Sequence, residues 1–538
     1  MKFKNIFIPS ILGISFFSFL FVSTPSEAFA SDDIKSGSQT IRIINVEDYI
    51  YEQDVESGYD KEDLIIQFEK YAKEKGYKNA HVIYESTDTN ETMYNELLTG
   101  KNSYDLMCPS DYMIQKLIRE GLLAKLDRTK IPNYTKYASK YVASRLDNIQ
   151  VKDEFVKDYA VGYMWGTLGI LFNPNFSTFS KRNMEMEQVI SDMQYWTTLW
   201  NKDYKKTISI KDSVRDTYAT GLLYAYNDEF IELKNKWENN ELSDEEYNHQ
   251  LNIIFNRCED ENINDVKNAL NELKKNIFGL EVDSGKEDIV TGKIGINLAW
   301  SGDAVYSMNQ AEDPEQVSNP YELYYALPET GANIWFDGWV MPKNEKRSEA
   351  QIELAHMFLD FISDPENAAQ NMDYIGYTSF IGGDDILDLV RSWYDARIND
   401  EGEFDDTIAI EEEWEVVDLS YFFSGTLEEY DDSDATFYTE LYLPYKSEGN
   451  VSVGRQFFCQ YPDEETIKRC AVMEDYKDQN SAVLRMWEDF KSDPLPVWAI
   501  VLFALEIALL GGGLIYFIYA KRIKRTLRKR RKDNLGEK

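Results

Sequence analysis

The stretch ANIWFDGWVMP, residues 332–342, decides what the rest of the chain must support. Trp335 and Asp337 are two positions apart in it, so on a predicted β-strand their side chains share one face. The face of an aromatic ring attracts a cation and a carboxylate neutralises it. The pair therefore predicts a site for an organic cation.

A second predicted strand, KIGINLAW at residues 293–300, alternates apolar with small or polar residues and ends on Trp300. The chain then returns through YYALP, residues 324–328, before it reaches Trp335. This order predicts a chain that passes twice through one cleft. The alternative is that both tryptophans pack in the core and Asp337 is a turn residue.

Length and charge restrict the possible partners. The chain has 538 residues with 43% hydrophobic content, enough for two or three domains with cores of their own. Its formal net charge is −38, and the basic last 18 residues make the body more acidic still. An acidic body argues against nucleic acid and suits attraction of cations, although acidic residues also simply keep a protein soluble.

Both ends of the chain carry apolar runs. Residues 1–30 are typical of a secretory signal ending in Ala-Phe-Ala, with an uncleaved anchor as the alternative. Residues 497–520 are apolar except for Glu506 and predict a single transmembrane helix. The basic tail, residues 521–538, is then cytoplasmic by the positive-inside rule. This predicts a cell-membrane protein whose residues 31–493 lie outside the cell.

The cysteines and histidines predict neither a metal site nor a cofactor. The four cysteines form no C-x-x-C pair and do not cluster with the three histidines, so a zinc site is not expected. Cys459 and Cys470 are close enough in sequence to predict a disulfide in an oxidising exterior. No Walker motif occurs, so an ATPase would have to be another chain.

The first third of the chain alternates strand and helix patterns. Predicted strands lie at 41–46, 81–86 and 104–108, and predicted helices at 63–75, at 92–98 and between 113 and 121. This alternation predicts an α/β domain with a parallel sheet, and such sheets bind ligands beyond the carboxyl ends of their strands. Glu47-Asp48-Tyr49, Ser110 with Tyr112, and Trp300 occupy those positions.

A second α/β region follows the strand pattern GTLGILFN, residues 166–173. A short strand at 208–211 leads into a helix that Asp212 or Ser213 can cap, with Asp216 in its first turns. Asp212 and Asp216 would share a helix face if both are helical. Residues 227–275 are predicted to be a helical surface elaboration. The acidic region 399–434 is expected to be solvated rather than to bind calcium.

Residues 40–490 resemble the spermidine/putrescine-binding proteins of ABC transporters. The resemblance is carried by NVEDYI from residue 45, ESTDTNETMYNELLTGKNSYDLMCPSDYMIQKLIREGLL from 85, YMWGTLGILFN from 163, DSVRDTY from 212 and IGYTS from 375. The chain departs from the family pattern at Val46 and Glu47, where the family usually has tryptophan and threonine. It also has Met473 where the family often has a glutamine contact.

The resemblance implies an α/β fold of two lobes, that of the class II periplasmic binding proteins, with the ligand in the cleft. One lobe would comprise about 40–167 and 336–380, and the other about 168–335 and 381–490. The implied ligand contacts are Asp48, Tyr49, Ser110, Tyr112, Asp216, Trp300, Trp335, Asp337 and Tyr377.

The implied function is a binding protein that delivers putrescine or spermidine to a permease and an ATPase on other chains, without enzymatic activity. Asp48, Asp216 and Asp337 would pair with ammonium groups, because a buried charge needs a partner. The aromatic side chains would pack on the methylene groups and face the cations. Two alternatives are a sensor or receptor of the same fold for another organic cation, and a glycoside hydrolase that uses paired carboxyl groups.

Overall fold

A computed structural model describes most of the chain between residues 37 and 492. The described ranges are 37–55, 58–100, 103–399, 404–405, 407–411, 414–427, 438–444 and 453–492. The predicted signal at 1–30, the anchor at 497–520, the tail at 521–538 and parts of the acidic region 399–434 lie outside them. Within these ranges, no helix has the length and apolarity that a bilayer crossing requires.

The chain divides into a large unit, residues 1–483, and a second unit, residues 484–538. Of the second unit, the described part is the end of the last helix. The strands of the large unit are β1 Thr40–Val46, β2 His81–Thr87, β3 Leu106–Met107, β4 Leu123–Ala124, β5 Gln150–Val151, β6 Glu154–Phe155, β7 Ala160–Phe172, β8 Ile208–Lys211, β9 Gly279–Glu281, β10 Ile296–Trp300, β11 Tyr324–Ala326, β12 Ala332–Pro342, β13 Thr378–Ser379, β14 Glu415–Asp418, β15 Glu440–Leu443 and β16 Cys470–Ala471.

Helices connect these strands. They are α1 Leu64–Glu74, α2 Asn90–Thr99, α3 Asp111–Arg119, α4 Pro132–Tyr137, α5 Lys140–Asp147, α6 Ser177–Lys181, α7 Met186–Asp192, α8 Val214–Ala225, α9 Asn227–Glu238, α10 Asp244–Phe255, α11 Asp260–Leu273, α12 Gly285–Val290, α13 Ser301–Glu312, α14 Glu349–Ile362, α15 Pro365–Ile375, α16 Asp384–Tyr394, α17 Ser420–Phe423, α18 Gly454–Gln460, α19 Glu464–Lys468 and α20 Asn480–Lys491.

One mixed sheet organises the large unit. Its strand order in the described residues is β2-β1-β3-β12-β7-β10-β8-β9; β11 and β13 also pair with β7, and β4 and β16 with β12. β1 pairs in parallel with β2 and β3. The central strands β12 and β7 are antiparallel to each other, and β10 is antiparallel to β7. The predicted parallel sheet is therefore confirmed for β1 to β3, and the centre is antiparallel because β7 and β12 run through it in opposite directions.

The longest strand, β7, lies at the centre of the sheet and pairs with strands on both sides. All 13 of its residues are buried. Its first half pairs with β12, and its last residues, Leu168–Phe172, pair with β10. A continuous apolar strand that is buried on both faces fits the centre of such a sheet. The predicted strand at 166–173 is confirmed as the second half of β7.

The remaining predicted elements are largely confirmed. β1, α1 and β2 fall within two residues of the predicted bounds, and the predicted helical elaboration at 227–275 forms α9, α10 and α11. The predicted strand 293–300 is shorter than its pattern and begins at Ile296. Helix α1 ends just before Gly76, whose φ of +98° an L-amino acid rarely adopts.

The predicted disulfide between Cys459 and Cys470 is wrong. Both side chains are buried free thiols. Cys459 lies on α18 and its thiol donates to the Arg455 carbonyl at 3.2 Å. Cys470 begins β16 and its thiol donates to the Thr466 carbonyl at 3.3 Å. Each thiol is thus bonded within its own segment, and nearness in sequence did not bring the two sulfurs together.

Candidate functional site

Three distant segments meet at Asp337 on β12. The Tyr49 hydroxyl, just beyond the end of β1, donates to Asp337 Oδ2 at 2.8 Å. Ser110, the N-cap of α3 just beyond β3, forms an isolated antiparallel bridge with Asp337. The Gly338 amide donates to the Pro109 carbonyl at 3.1 Å and holds this junction together. The carboxyl ends of β1 and β3 therefore lie against the middle of β12, as expected for a ligand site in an α/β sheet.

A β-bulge shapes the backbone at Asp337. The register of β12 against β7 shifts between Asp337 and Gly338, whose partners are Met164 and Gly162. Tyr163 is the residue left over, and its hydroxyl donates to the Tyr49 carbonyl at 2.6 Å. Bulges bend a strand and redirect its side chains, and they are common beside binding sites. The bulge lies on β7 opposite Asp337, and the strand pattern alone did not reveal it.

Aromatic rings surround this carboxylate. The Tyr377 ring packs edge-on against Tyr49, with centroids 5.6 Å apart, and against Trp335 at 5.5 Å. Tyr377 thus contacts Trp335 directly, and it contacts Tyr49, whose hydroxyl donates to Asp337. We refer to Tyr49, Ser110, Trp335, Asp337 and Tyr377 as the Asp337 cluster. All five were predicted from the sequence, and the structure brings them together.

The electrostatics of the cluster favour a bound cation. Burial raises the pKa of Asp337 to about 6, hydrogen bonds from Ser110 and Tyr49 lower it, and the charge of Asp216 raises it. Burial raises the pKa of Tyr49 well above its ordinary value, and Asp337 adds to this effect. Among the described residues, no lysine or arginine forms an ion pair with Asp337. An external cation would relieve the cost of burying this charge.

Asp216 supplies a second buried carboxylate. It lies in the first turn of α8, where its amide donates to the Ser213 hydroxyl at 3.3 Å. Burial raises its pKa, and Ser213, Lys211 and Trp300 lower it. Asp212 lies before the helix, because Ser213 is the N-cap. The condition for Asp212 and Asp216 to share a helix face is therefore not met, and Ser213, one of the two caps that the sequence offered, is the N-cap.

Two of the predicted rings already face cations of the protein. The Lys211 ammonium lies 4.1 Å from the centroid of the Trp300 ring. The Arg215 guanidinium lies 4.3 Å from the Tyr112 ring, whose hydroxyl donates to Glu91 at 3.4 Å. Sequence reasoning missed Lys211 and Arg215. Their only signal was their position beside the predicted acid in KDSVRD.

Asp48 takes a different position from the other predicted acids. It is exposed, with a φ of +52°, which aspartate tolerates better than most residues. With Val46, Glu47 and Tyr49 it lines a cavity of about 400 Å³. No hydrogen bond or ion pair of the described residues joins its carboxylate to the Asp337 cluster.

Two glycines let the aromatic rings approach the backbone. A Cβ atom on Gly166 of β7 would lie 2.5 Å from Trp335 Cζ2 and 2.5 Å from the Ser301 hydroxyl oxygen. A Cβ atom on Gly302 would lie 2.7 Å from the Tyr377 ring. All three distances are too short for real contacts, so the rings need these glycines. Sequence reasoning missed both glycines, although each closely follows a tryptophan, in Trp165-Gly166 and in Trp300-Ser301-Gly302.

Comparison with known proteins identifies the family of the chain. Residues 67–382 match the family described as Bacterial extracellular solute-binding protein. The Spermidine/putrescine-binding periplasmic protein of Escherichia coli (strain K12) is 26% identical over 312 residues, which cover 57% of this chain and 72% of that protein. The Putrescine-binding periplasmic protein PotF of the same strain is 23% identical over 349 residues, which cover 63% of this chain and 78% of that protein.

Solved structures share the fold. A Listeria monocytogenes protein, provisionally named a spermidine/putrescine ABC transporter, superposes with a TM-score of 0.52 at 23% identity, covering 84% of this chain and 99% of that one. The Tp0655 (TpPotD) lipoprotein of Treponema pallidum superposes with a TM-score of 0.51 at 17% identity, covering 84% of this chain and 99% of that one. The fold is thus the two-lobe α/β fold of periplasmic binding proteins. With the family match spanning more than half of its length, the chain belongs to the bacterial extracellular solute-binding proteins.

Proposed function

We propose that this protein binds a polyamine outside the cell and delivers it to an ABC permease carried by other chains. The observation that supports this most directly is Asp337, a carboxylate among three aromatic rings with no lysine or arginine paired to it in the described residues. A polyamine presents ammonium groups for the carboxylates and methylene groups for the rings. Relatives named for binding spermidine and putrescine add support.

In the proposed complex, one ammonium group pairs with Asp337 and a second with Asp216. Trp335, Tyr49 and Tyr377 form the aromatic walls, and Ser110 is a polar contact. Trp300, Tyr112 and Asp48 belong to the proposed site as contacts further along the ligand. Binding would draw the two lobes together, as in other binding proteins with a cleft between lobes.

Calorimetric titration of the full-length protein tests this function. We expect one-to-one binding of putrescine or spermidine, with spermine as a third ligand and calcium as a control. A response to calcium alone, or to none of the three amines, would remove the polyamine assignment. The family and the fold would remain, and Val46 and Glu47 would then direct the search for another ligand.

Placing a methyl group at Gly166 is expected to weaken binding. In Gly166→Ala the new Cβ would push the Trp335 ring away from β7. Loss of one wall of the site should raise the Kd roughly tenfold, about 1.4 kcal/mol. Gly279→Ala is the matched control, since no atom lies within 4 Å of its Cβ position. Equal affinities for the two variants would exclude Trp335 as a wall of the site.

The proposed anchor comes from the sequence alone. The apolar run 497–520 and the basic residues after it support a single span that keeps the binding domain at the outer surface of the membrane. Such an anchor would hold the receptor near its permease. Extraction of the full-length protein from cell membranes by detergent, but not by carbonate, would support it. Release by carbonate would exclude an integral anchor.

A further inference from the structure

A buried lysine of the protein lies beside Trp300, one of the predicted ligand contacts. Lys211 ends β8 and is 0% exposed. Its ammonium lies 3.0 Å from Asp303 Oδ2 and 3.1 Å from Glu281 Oε1, and it donates to the Val282 carbonyl at 3.2 Å. Burial lowers the pKa of Lys211, but Asp303 and Glu281 raise it above its ordinary value overall, so the side chain is charged.

The Lys211 ammonium also lies over one face of the Trp300 ring. Its distance of 4.1 Å from the ring centroid is within cation–π range. A ligand ammonium on the same face would collide with Lys211. On the opposite face the two charges would lie roughly 8 Å apart across the ring, close enough to repel each other inside a protein. Trp300 can therefore pack on the methylene groups of a ligand but is a poor site for a further cation.

The same lysine is connected to the Asp337 cluster through Asp303. Asp303 is 5% exposed, and both of its oxygens are engaged: Oδ2 by Lys211 and Oδ1 by the Tyr377 hydroxyl at 2.7 Å. Tyr377 in turn packs against Tyr49 and Trp335. Asp303 thus lies behind Tyr377 as seen from the cluster, and its carboxylate is already paired with Lys211. The carboxylates left for ligand ammonium groups are Asp337 of this cluster and Asp216 on α8, whose charge acts on Asp337.

We infer that Lys211 acts as a resident cation that takes the place of one ligand ammonium, so that the site prefers a diamine to a triamine. This inference rests on the proposed function, because it concerns which amine the same cleft accepts. A diamine places its two ammonium groups at Asp337 and Asp216. A third ammonium group would find Asp303 already engaged by Lys211 and the Tyr377 hydroxyl, and Asp48 exposed to solvent, where an ion pair contributes little.

The test is the ratio of the affinities for putrescine and spermidine, measured with the full-length protein. Lys211→Met alone leaves Asp303 and Glu281 buried without their cation and can impair folding. The double variant Lys211→Met with Glu281→Gln removes one positive and one negative charge together and leaves Asp303 open to the ligand. Lys205→Met, an exposed lysine on the preceding loop, is the control.

We expect the wild type and Lys205→Met to bind putrescine at least tenfold more tightly than spermidine. In the double variant the ratio should move at least tenfold towards spermidine. A smaller movement of the ratio, or a wild type that favours spermidine, would overturn the resident-cation role and leave the proposed function intact. Absence of binding by both amines to the wild type would instead overturn the proposed function, and this inference with it.

Discussion

Asp337→Asn is expected to weaken polyamine binding by about 2 kcal/mol or more, roughly 30-fold in Kd. Asparagine has the shape of aspartate, and its amide oxygen can still accept the Tyr49 hydroxyl that now donates to Asp337 at 2.8 Å. The loss of affinity therefore measures the effect of the carboxylate charge and not a change in packing. A ligand ammonium would remain buried among Tyr49, Trp335 and Tyr377 without its counter-charge, and the rings alone compensate only part of that cost.

Calorimetry with putrescine and spermidine measures this loss. Asp153→Asn, an exposed aspartate in the turn between β5 and β6, should bind like the wild type. The wild-type affinity should also fall about tenfold between pH 7.5 and pH 5, because protonation of Asp337 near pH 6 competes with the ligand. The Asp337→Asn variant should show a flatter pH profile. An unchanged Kd in Asp337→Asn would remove Asp337 from the site.

Local patterns were sufficient to predict much of the framework. Strand periodicity placed β1 and β2, and the spacing of Trp335 and Asp337 placed both side chains on one aromatic surface. The rule that ligands bind beyond the carboxyl ends of strands pointed to residues 47–49, to Ser110 with Tyr112 and to Trp300, and of these the structure brings Tyr49 and Ser110 to Asp337. These features depend on short stretches of chain, and for that reason the sequence reveals them.

What the sequence could not predict depends on pairings between distant segments. Lys211 has the sequence context of an ordinary strand end, and only its contacts with Glu281 and Asp303 show that it is an internal cation. The bulge opposite Asp337 arises from the register of β12 on β7, which a strand pattern does not specify. Cys459 and Cys470 show the opposite error, since closeness along the chain did not produce contact between their sulfurs.

The same Asp337→Asn change is expected to stabilise the ligand-free protein at neutral pH. Burial is the main reason that the pKa of Asp337 rises from 3.8 to about 6 in the folded state. Between these values the folded protein holds the proton more tightly than the unfolded chain, so the free energy of unfolding falls as the pH rises through this window. The difference corresponds to about 3 kcal/mol. Because Asp337 keeps partial exposure, we expect about 2 kcal/mol.

Urea unfolding of both proteins at pH 7.5 and pH 4, without ligand, measures this effect. At pH 7.5 the variant should be more stable by about 2 kcal/mol, since asparagine never carries the buried charge. Near pH 4 the two proteins should differ little, because Asp337 is then protonated in the folded wild type. Asp153→Asn should match the wild type at both pH values. A variant that is less stable than the wild type at pH 7.5 would mean that the ionised carboxylate supports the fold, and that Asp337 is a structural residue rather than one kept charged for a ligand.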